Sequence, residues 1–291
     1  MKVSGFTFIR NAQKFDYPIV EAITSVLPLC DEMVVCVGKS EDNTRKIIQN
    51  IPSNKIKIID SVWDDTLREG GRVLAVETNK AFDSIANDAD WAFYIQGDEV
   101  LHEKYIPVVR NAMKLYKDDS SVEGLLFKYV HFYGNYYYVG DSRKWYQHEI
   151  RIIRNNKAIR SFNDAQGFRI NNNKLKVKPI EAYIYHYGWV KPPKFQQAKA
   201  ETFHRLWHDD KWMKENIPQV EEFDYSIIDS LKHFEGTHPA VMRERIERLN
   251  WHFSFDPTKK NLPFKEKCLF FLEKCTGRRW FEYKNYEIHC N

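Results

Sequence analysis

Three features that would each indicate a class of protein are absent from this 291-residue sequence. No stretch approaches the roughly 20 uninterrupted apolar residues of a membrane-spanning helix. The first residues, M-K-V-S-G-F-T-F-I-R-N, lack the long apolar segment of a signal peptide. The five cysteines include no C-x-x-C pair, so neither a zinc ribbon nor a disulfide framework is indicated. The sequence therefore predicts a reduced, cytoplasmic protein, at most peripherally attached to the inner face of a membrane.

The sequence also lacks a large excess of charge of either sign. The net charge is only +4, and the basic residues are spread along the chain rather than gathered in runs. This pattern argues against nucleic acid as a partner and weakly favours an anionic ligand. Aromatic residues, by contrast, make up 15% of the chain. They suit either the faces of sugar rings or an ordinary core.

The first hundred residues alternate between strand-like and helix-like patterns. Short apolar runs predict strands at 3–9, 33–37, 55–59 and 91–95. Apolar residues at helical spacing predict helices at 17–29, 45–51 and 70–87. This order is typical of an α/β fold with an open, mostly parallel sheet flanked by helices. Ligands of such sheets bind beyond the carboxyl ends of the strands, where three polar loops follow here.

The second half changes character. Runs rich in Tyr, Phe and Val predict further strands at 123–130, 136–139, 149–154 and 175–187. After Pro192-Pro193, helical patterns occur at 194–208, 225–235, 239–250 and 263–275. We therefore expect an α/β domain over residues 1–190 and a helical C-terminal extension over residues 191–291 that packs on it.

Two adjacent acids, Asp98 and Glu99, follow the fourth predicted strand in the stretch W-A-F-Y-I-Q-G-D-E-V-L. They are interpreted either as the N-terminal cap of a helix or as oxygen ligands for Mg²⁺ or Mn²⁺. Their place at the end of a parallel strand favours Asp98 as a metal ligand and leaves Glu99 as the cap. No G-x-G-x-x-G follows the first strand and no P-loop motif occurs, so other nucleotide-binding patterns are weak.

Four stretches occur in an order that is similar to one known family. They are K-V-S-G-F-T-F-I-R-N at 2–11, D-E-M-V-V-C-V-G-K-S-E-D-N-T at 31–44, G-G-R-V-L-A-V-E-T-N at 70–79 and Y-I-Q-G-D-E-V at 94–100. With them the chain resembles the family-2 glycosyltransferases of the GT-A fold. The resemblance implies transfer of a sugar, with inversion, from a nucleotide-diphospho-sugar to a carbohydrate or lipid-linked hydroxyl. The default nucleotide is UDP, and the expected setting is polysaccharide biosynthesis.

The resemblance also implies roles for individual residues. Asp98 matches the last acid of the family's D-x-D motif, while Gln96 stands where the first acid often does. Asp98 and His186 are therefore the expected ligands of Mn²⁺ or Mg²⁺. The residues expected to bind the donor are Phe8, Arg10, Gly38, Asp42, Arg72, Asn79, Gln96, Gly97 and Asp98.

An inverting transfer needs a general base close to the acceptor hydroxyl, and a carboxylate is the usual choice. Glu149 and Asp164 are the candidates, although Glu149 could instead pair with Arg151 or Arg154, and Asp164 could cap a turn. Trp145 and Trp189 are expected either to stack on the acceptor sugar or to belong to the core.

Two other functions remain compatible with the sequence. A sugar nucleotidyltransferase would need a Gly-rich basic loop after the first strand, where Phe8-Ile9-Arg10-Asn11 stands. A catalytically inactive nucleotide- or carbohydrate-binding protein is suggested by Gln96 in place of an acid.

Overall fold

The expected alternation of strands and helices is present in the computed structural model, which describes residues 1–217 and 220–290. The elements of the first half are β1 (Val3–Ile9), α1 (Ile19–Val26), β2 (Glu32–Gly38), α2 (Thr44–Gln49), β3 (Ile56–Ser61), α3 (Arg72–Asp83), β4 (Trp91–Tyr94), β5 (Glu99–Leu101) and α4 (Ile106–Leu115). Short 3₁₀ helices follow α1 and precede α4.

Strands dominate the next part of the chain, and short helices follow them. These elements are β6 (Gly124–Tyr133), β7 (Tyr138–Gly140), β8 (His148–Arg154), β9 (Ile159–Phe162), β10 (Gly167–Ile170), β11 (Asn173–Lys174), β12 (Lys176–Trp189), α5 (Pro193–His204), α6 (Asp210–Asn216), β13 (Leu231–His233), α7 (Arg243–Glu247), α8 (Phe264–Thr276) and β14 (Glu287–Ile288).

One curved sheet organises the molecule. Strands β3, β2, β1 and β4 lie side by side and parallel, and β8 then joins β4 in the antiparallel direction. Strand β6 continues the sheet beside β8, and the long β12 runs parallel to β6 while pairing antiparallel with β5. The α/β fold expected from the sequence is confirmed. Its parallel half ends at β4, the strand that leads into Asp98.

Helices cover both faces of the sheet. Apolar side chains of α1 and α4, such as Ile23 and Met113, pack against one face of the central strands. Side chains of α3, among them Val73 and Phe82, pack with Phe6 on the opposite face. Covering on both faces explains the continuous apolar runs of the parallel strands.

The loops after β1 and β2 are fastened to each other. The side chain of Ser40 accepts from the backbone N–H of Asn11 at 3.0 Å, and the Asn11 side chain accepts from the backbone N–H of Glu41 at 2.8 Å. The hydroxyl of Thr44 accepts from the N–H of Ala12 at 2.6 Å. These bonds bring two polar loops together at the carboxyl edge of the parallel strands, as the strand order predicts.

The chain after residue 190 is only partly helical. The predicted helix at 225–235 is wrong, because this segment is a loop that ends in β13, which pairs with β7. Tyr225, Ile228 and Leu231 are buried at a spacing of three residues, which imitates a helical pattern. Residues 218, 219 and 291 of the predicted extension lie outside the described part of the chain. Within the described part, no helix is both long and apolar enough to span a bilayer.

Candidate functional site

Asp98 lies in the loop between β4 and β5, and hydrogen bonds to β12 hold it in place. Its carbonyl accepts from the N–H of Tyr187 at 2.8 Å, and Glu99 lies opposite His186 in the β5–β12 pair. The Oδ2 atom of Asp98 is 3.8 Å from His186 Nε2 and 3.1 Å from Lys199 Nζ. The sheet therefore brings together the two residues expected to bind a metal ion.

A glycine keeps the space between these two side chains open. A Cβ atom at Gly188 would lie 2.6 Å from His186 Nε2 and 2.8 Å from Asp98 Oδ2. Any larger residue at this position would displace one of the two candidate ligands. The gap between Asp98 and His186 thus depends on glycine at position 188.

A chain of hydrogen bonds determines which nitrogen of His186 carries the proton. Burial lowers the pKa of both His131 and His186, so both rings are neutral at pH 7. The carbonyl of Tyr146 can only accept, so His131 Nε2, 2.8 Å away, donates to it. His131 Nδ1 then accepts from His186 Nδ1 at 3.1 Å. A lone pair remains on His186 Nε2, the ring nitrogen near Asp98, as metal binding requires.

One lysine, Lys199, contacts Asp98, and a second, Lys191, affects it through its charge. Burial by itself would raise the pKa of the Asp98 carboxyl, but the positive charge of Lys199 holds that pKa well below its usual value. Burial opposes the charge on Lys199 too, yet Tyr17 and Asp98 raise its pKa. For Lys191, burial lowers the pKa well below its usual value, and its Nζ donates to a backbone carbonyl at 2.8 Å. Asp98 is therefore ionised at neutral pH.

Glu99 does not cap a helix, so that prediction is wrong. The residue begins β5, and its carboxylate is fully buried against Arg151, with N–O distances of 2.7 and 2.8 Å. The hydroxyl of Tyr129 donates to the same carboxylate at 2.8 Å. The acid is needed to neutralise a buried guanidinium. Arg151 therefore does not form the ion pair with Glu149 that the sequence allows.

Gln96 and Gly97 shape the loop that carries Asp98. The Gln96 side-chain amide donates to the carbonyl of Ala165 at 3.2 Å and to the hydroxyl of Tyr94 at 3.3 Å. A Cβ atom at Gly97 would lie 2.8 Å from Ile9 Cδ1, so the loop passes close to β1. The Gln96 side chain thus fixes the loop that carries Asp98, and it adds no second negative charge to the site.

Asp98 and His186 do not by themselves form a complete metal site. Within residues 1–217 and 220–290, no three His, Cys, Asp or Glu side chains are grouped so that they could hold a metal ion. A cation that carries a diphosphate usually takes one or two protein ligands and fills its other positions with phosphate oxygens and water. Asp98 and His186, on either side of the Gly188 gap, fit that requirement.

Phe8, Arg10 and Gly38 meet around the indole ring of Trp63. The Arg10 guanidinium lies 4.3 Å from the Trp63 ring centre and 2.8 Å from Asp65 Oδ1. The Phe8 ring centre is 5.7 Å away, and a Cβ atom at Gly38 would lie 2.4 Å from Trp63 Nε1. That indole nitrogen is buried without a hydrogen-bond partner. Flat and cationic groups thus gather beyond β1 and β2, where a nucleobase could stack.

The other donor-side candidates have different surroundings. The Asp42 carboxylate accepts from the backbone N–H of Lys14 at 2.7 Å and of Thr44 at 2.9 Å, so it holds loops together. Asn79 accepts from a backbone N–H of β9 at 2.9 Å. Arg72 begins α3, is exposed, and forms no ion pair with any described residue. Of these three, Arg72 alone has a charge free for a ligand.

Glu149 and Asp164 line the same cavity, of about 770 Å³. Burial raises the pKa of Glu149 to about 8, and its Oε2 is buried without a hydrogen-bond partner. Burial also raises the pKa of Asp164, which accepts from the N–H of Gln166 in a turn. A Cβ atom at Gly71 would lie 3.0 Å from Asp164 Cβ, so Asp164 adjoins the start of α3. Both candidate bases face one cavity beside the donor half.

Trp145 lines a second cavity, of about 760 Å³. Its ring stacks on His131 at 5.2 Å, and its indole nitrogen is buried without a partner. Trp189 lies 6.5 Å from Trp145 and packs among Tyr133 and Phe223. Trp145 therefore faces the cavity, whereas Trp189 supports it from within an aromatic cluster.

The two cavities share part of their walls. Arg143, Tyr146 and Arg279 line both of them. Through its carbonyl, Tyr146 is also the hydrogen-bond acceptor of His131, which contacts His186. Asp98 and His186 line neither of these two cavities, but His131, the hydrogen-bond partner of His186, lines the first.

The sequence did not single out Lys199, His131 or Trp63. Each belongs to the site only through contacts between distant segments: Lys199 is 101 residues from Asp98, and His131 is 55 residues from His186. No local motif marks such pairs. The resemblance to the glycosyltransferase family could have indicated these residues, but the four matching stretches do not include them.

Comparison with known proteins reveals similarity to solved structures but no match in sequence. No family model matches the sequence, and no curated protein matches it. The structure is similar to TarS of S. aureus with a TM-score of 0.40 and 16% identity, covering 69% of this chain and 39% of that one. For residues 1–349 of TarS in complex with UDP, the TM-score is 0.41 and the identity 16%, covering 76% of this chain and 68% of that one.

A third solved structure is glucosyl-3-phosphoglycerate synthase from Mycobacterium tuberculosis in complex with Mn²⁺, UDP and glucosyl-3-phosphoglycerate. Its TM-score is 0.31 and its identity 14%, covering 45% of this chain and 44% of that one. Both proteins are glycosyltransferases of the family that the sequence resembles. Likenesses of this extent do not assign an activity to this chain, which spans less than half of two of the three structures.

Proposed function

We propose that this protein is a glycosyltransferase that transfers a sugar from a nucleotide-diphospho-sugar to a hydroxyl group of a carbohydrate or lipid-linked acceptor. The observation that carries the proposal is the pair Asp98 and His186, which face each other across Gly188 beyond β4. An ionised carboxylate and an imidazole lone pair together suit Mn²⁺ or Mg²⁺. Sites beyond the carboxyl ends of parallel strands bind ligands in this class of sheet.

The donor's nucleotide is expected beside the same edge of the sheet. Trp63 and Phe8 offer flat faces for a base, and Arg10 lies above the Trp63 ring. Arg72, exposed at the first turn of α3, offers a guanidinium to a phosphate. UDP is the expected nucleotide, on the basis of the sequence resemblance.

A divalent cation bound by Asp98 and His186 would supply positive charge to the departing diphosphate. In the transfer itself, the acceptor oxygen forms a bond to the anomeric carbon. The bond from that carbon to the phosphate oxygen breaks on the opposite side, and its electron pair leaves with the nucleoside diphosphate. The acceptor's proton passes to a carboxylate of this chain. Glu149 is the first candidate because its Oε2 is unpartnered, and Asp164 is the second.

A lipid-linked acceptor would also require a membrane-facing surface. Helix α8 and the residues after it expose large apolar side chains: Phe264, Phe271, Leu272, Trp280 and Phe281. Basic residues are interspersed among them, so this surface suits peripheral contact with an anionic membrane.

Calorimetry tests donor binding. UDP, GDP and ADP are titrated with and without Mn²⁺ into the wild type, into Asp98→Ala and into the exposed control Asp118→Ala. UDP is expected to bind with Mn²⁺, and Asp98→Ala is expected to weaken that binding at least tenfold while Asp118→Ala leaves it unchanged. The proposal is abandoned if no nucleotide binds, or if binding ignores both the metal and Asp98.

Transfer is tested separately through the candidate bases. Glu149→Gln or Asp164→Asn is expected to abolish transfer while UDP affinity stays at the wild-type value. Normal turnover in both variants would exclude both carboxylates. Donor binding without transfer to any acceptor in the wild type would favour a binding protein instead.

A further inference from the structure

The side chains at the candidate metal site carry no net negative charge. Glu99 is neutralised by Arg151, and Gln96 brings no charge, so Asp98 supplies the negative charge that faces the gap. The Lys199 ammonium lies 3.1 Å from Asp98 and balances its charge. Without a net negative charge, this site attracts a free divalent cation only weakly.

Lys199 is held at this place by several contacts. Its Nζ donates to Asp98 Oδ2 at 3.1 Å and to the carbonyl of Gly188 at 3.0 Å. It also lies 4.9 Å from the ring centre of Tyr17, and Lys191 lies 4.5 Å from the same ring. The Lys199 side chain is 15% exposed, so it reaches the site from α5 without being sealed in the core.

Lys199 and a metal ion would contend for the same carboxylate oxygen. Oδ2 of Asp98 is the atom nearest both to Lys199 Nζ and to His186 Nε2. A Mg²⁺ or Mn²⁺ ion would bind that oxygen at about 2.1 Å. Two cations so close repel each other strongly in a buried site. The ammonium must therefore move when the metal binds.

The diphosphate offers the ammonium a new partner nearby. A cation at this site would carry the diphosphate, whose oxygens are anionic. Lys199 Nζ is already 3.1 Å from Asp98 Oδ2, so a diphosphate held there would lie within reach of the ammonium. A lysine side chain has a flexible four-carbon stem, so rotation is enough to reach it.

We propose that Lys199 binds the donor's diphosphate directly, and that a divalent cation displaces its ammonium group from Asp98. This rests on the proposed function, because it assumes a nucleoside diphosphate at this edge of the sheet. The ammonium group of Lys199 is then a positive charge that the protein itself supplies to the donor site. It supplies positive charge to the diphosphate even when no metal is bound.

The first experiment measures Mn²⁺ without nucleotide, by electron paramagnetic resonance of the free ion. Lys199→Met removes the competing ammonium, so it is expected to bind Mn²⁺ at least tenfold more tightly than the wild type. Lys199→Arg keeps the charge and is expected to resemble the wild type. Lys194→Met, an exposed lysine on the same helix, is the control. Unchanged or weaker Mn²⁺ binding by Lys199→Met would overturn the displacement.

The second experiment measures UDP binding in excess EDTA. Lys199→Met is expected to lose at least fivefold in affinity, with Lys199→Arg and Lys194→Met close to the wild type. Equal UDP affinity in Lys199→Met would overturn the diphosphate contact while leaving the proposed function standing. A wild type that bound no nucleotide in either condition would overturn both.

Folding of each variant is checked by its thermal unfolding midpoint. Should Lys199→Met not fold, Lys199→Gln takes its place in both measurements. Its amide can still donate to the Gly188 carbonyl but carries no charge.

Discussion

Arg151 is completely buried, and both oxygens of the Glu99 carboxylate bind it. Removing one partner of a buried ion pair leaves the other charge without compensation, which typically destabilises a protein by about 3–5 kcal/mol. Arg151→Met is therefore expected to lower the free energy of unfolding by about that amount in urea denaturation. Arg248→Met, which breaks the exposed pair with Glu244, is the control and should leave it nearly unchanged. Equal effects of the two variants would contradict this account.

Glu149 predicts a pH dependence with a definite sign. Burial raises its pKa to about 8 in the folded protein, above the 4.5 of an exposed glutamate. Its neutral form therefore stabilises the fold at low pH, and that contribution is lost as the pH rises from about 4.5 through 8. Relative to Glu149→Gln, the wild type should lose about 4 kcal/mol of unfolding free energy between pH 4 and pH 9. Urea denaturation at both pH values measures the difference.

The same group would govern turnover if it is the base. A base must be deprotonated, so kcat/KM of the wild type is expected to rise with pH and to level off above about pH 8. A flat profile between pH 6 and pH 9 would argue for Asp164 or another group.

Single residues were the least predictable level of this structure. The resemblance named Asp98 and His186, and the structure brings them within 3.8 Å. The resemblance did not predict that the Glu99 side chain points into the core. The partner of Glu99, Arg151, is 52 residues away in the sequence. The role of a charged side chain depends on which distant segment packs against it, and a single sequence does not give that information.

Strand β12 contributes both His186 and the glycine beside it. Gly188→Ala would place a Cβ atom 2.6 Å from His186 Nε2 and 2.8 Å from Asp98 Oδ2, so one of these side chains must shift. We expect Mn²⁺ affinity to fall at least tenfold in calorimetry. The thermal unfolding midpoint should change by only a few degrees, since the strand's backbone pairing is retained. Wild-type Mn²⁺ affinity in this variant would show that the gap does not hold the metal.

Elements were easier to predict than residues wherever a sheet covers them on both faces. Strands β1, β2 and β4 are almost uninterrupted runs of buried residues, which the sequence displays directly. The short β13 was missed because three buried residues at a spacing of three imitate a helix. An edge strand of three residues has too few positions to show an alternating pattern.

At the scale of the whole molecule, the apolar surface around α8 predicts binding to membranes. The wild type is expected to sediment with vesicles containing phosphatidylglycerol and not with vesicles of phosphatidylcholine alone. The double variant Phe271→Ser and Phe281→Ser should lose this binding. Leu115→Ser, which changes an exposed apolar residue at the end of α4, should keep it. Equal sedimentation of all three proteins would exclude this surface.

The pairing of β5 with β12 has a consequence for how the protein is made. Glu99 and its partner His186 are 87 residues apart, so a growing chain exposes β5 before its partner exists. At about 5–20 residues per second, that interval lasts roughly 4 to 17 seconds on the ribosome. During it, Asp98 has neither His186 nor Lys199 beside it. If Asp98 and His186 hold Mn²⁺ as proposed, Mn²⁺ binding should arise late in synthesis and would report that β5 has paired with β12.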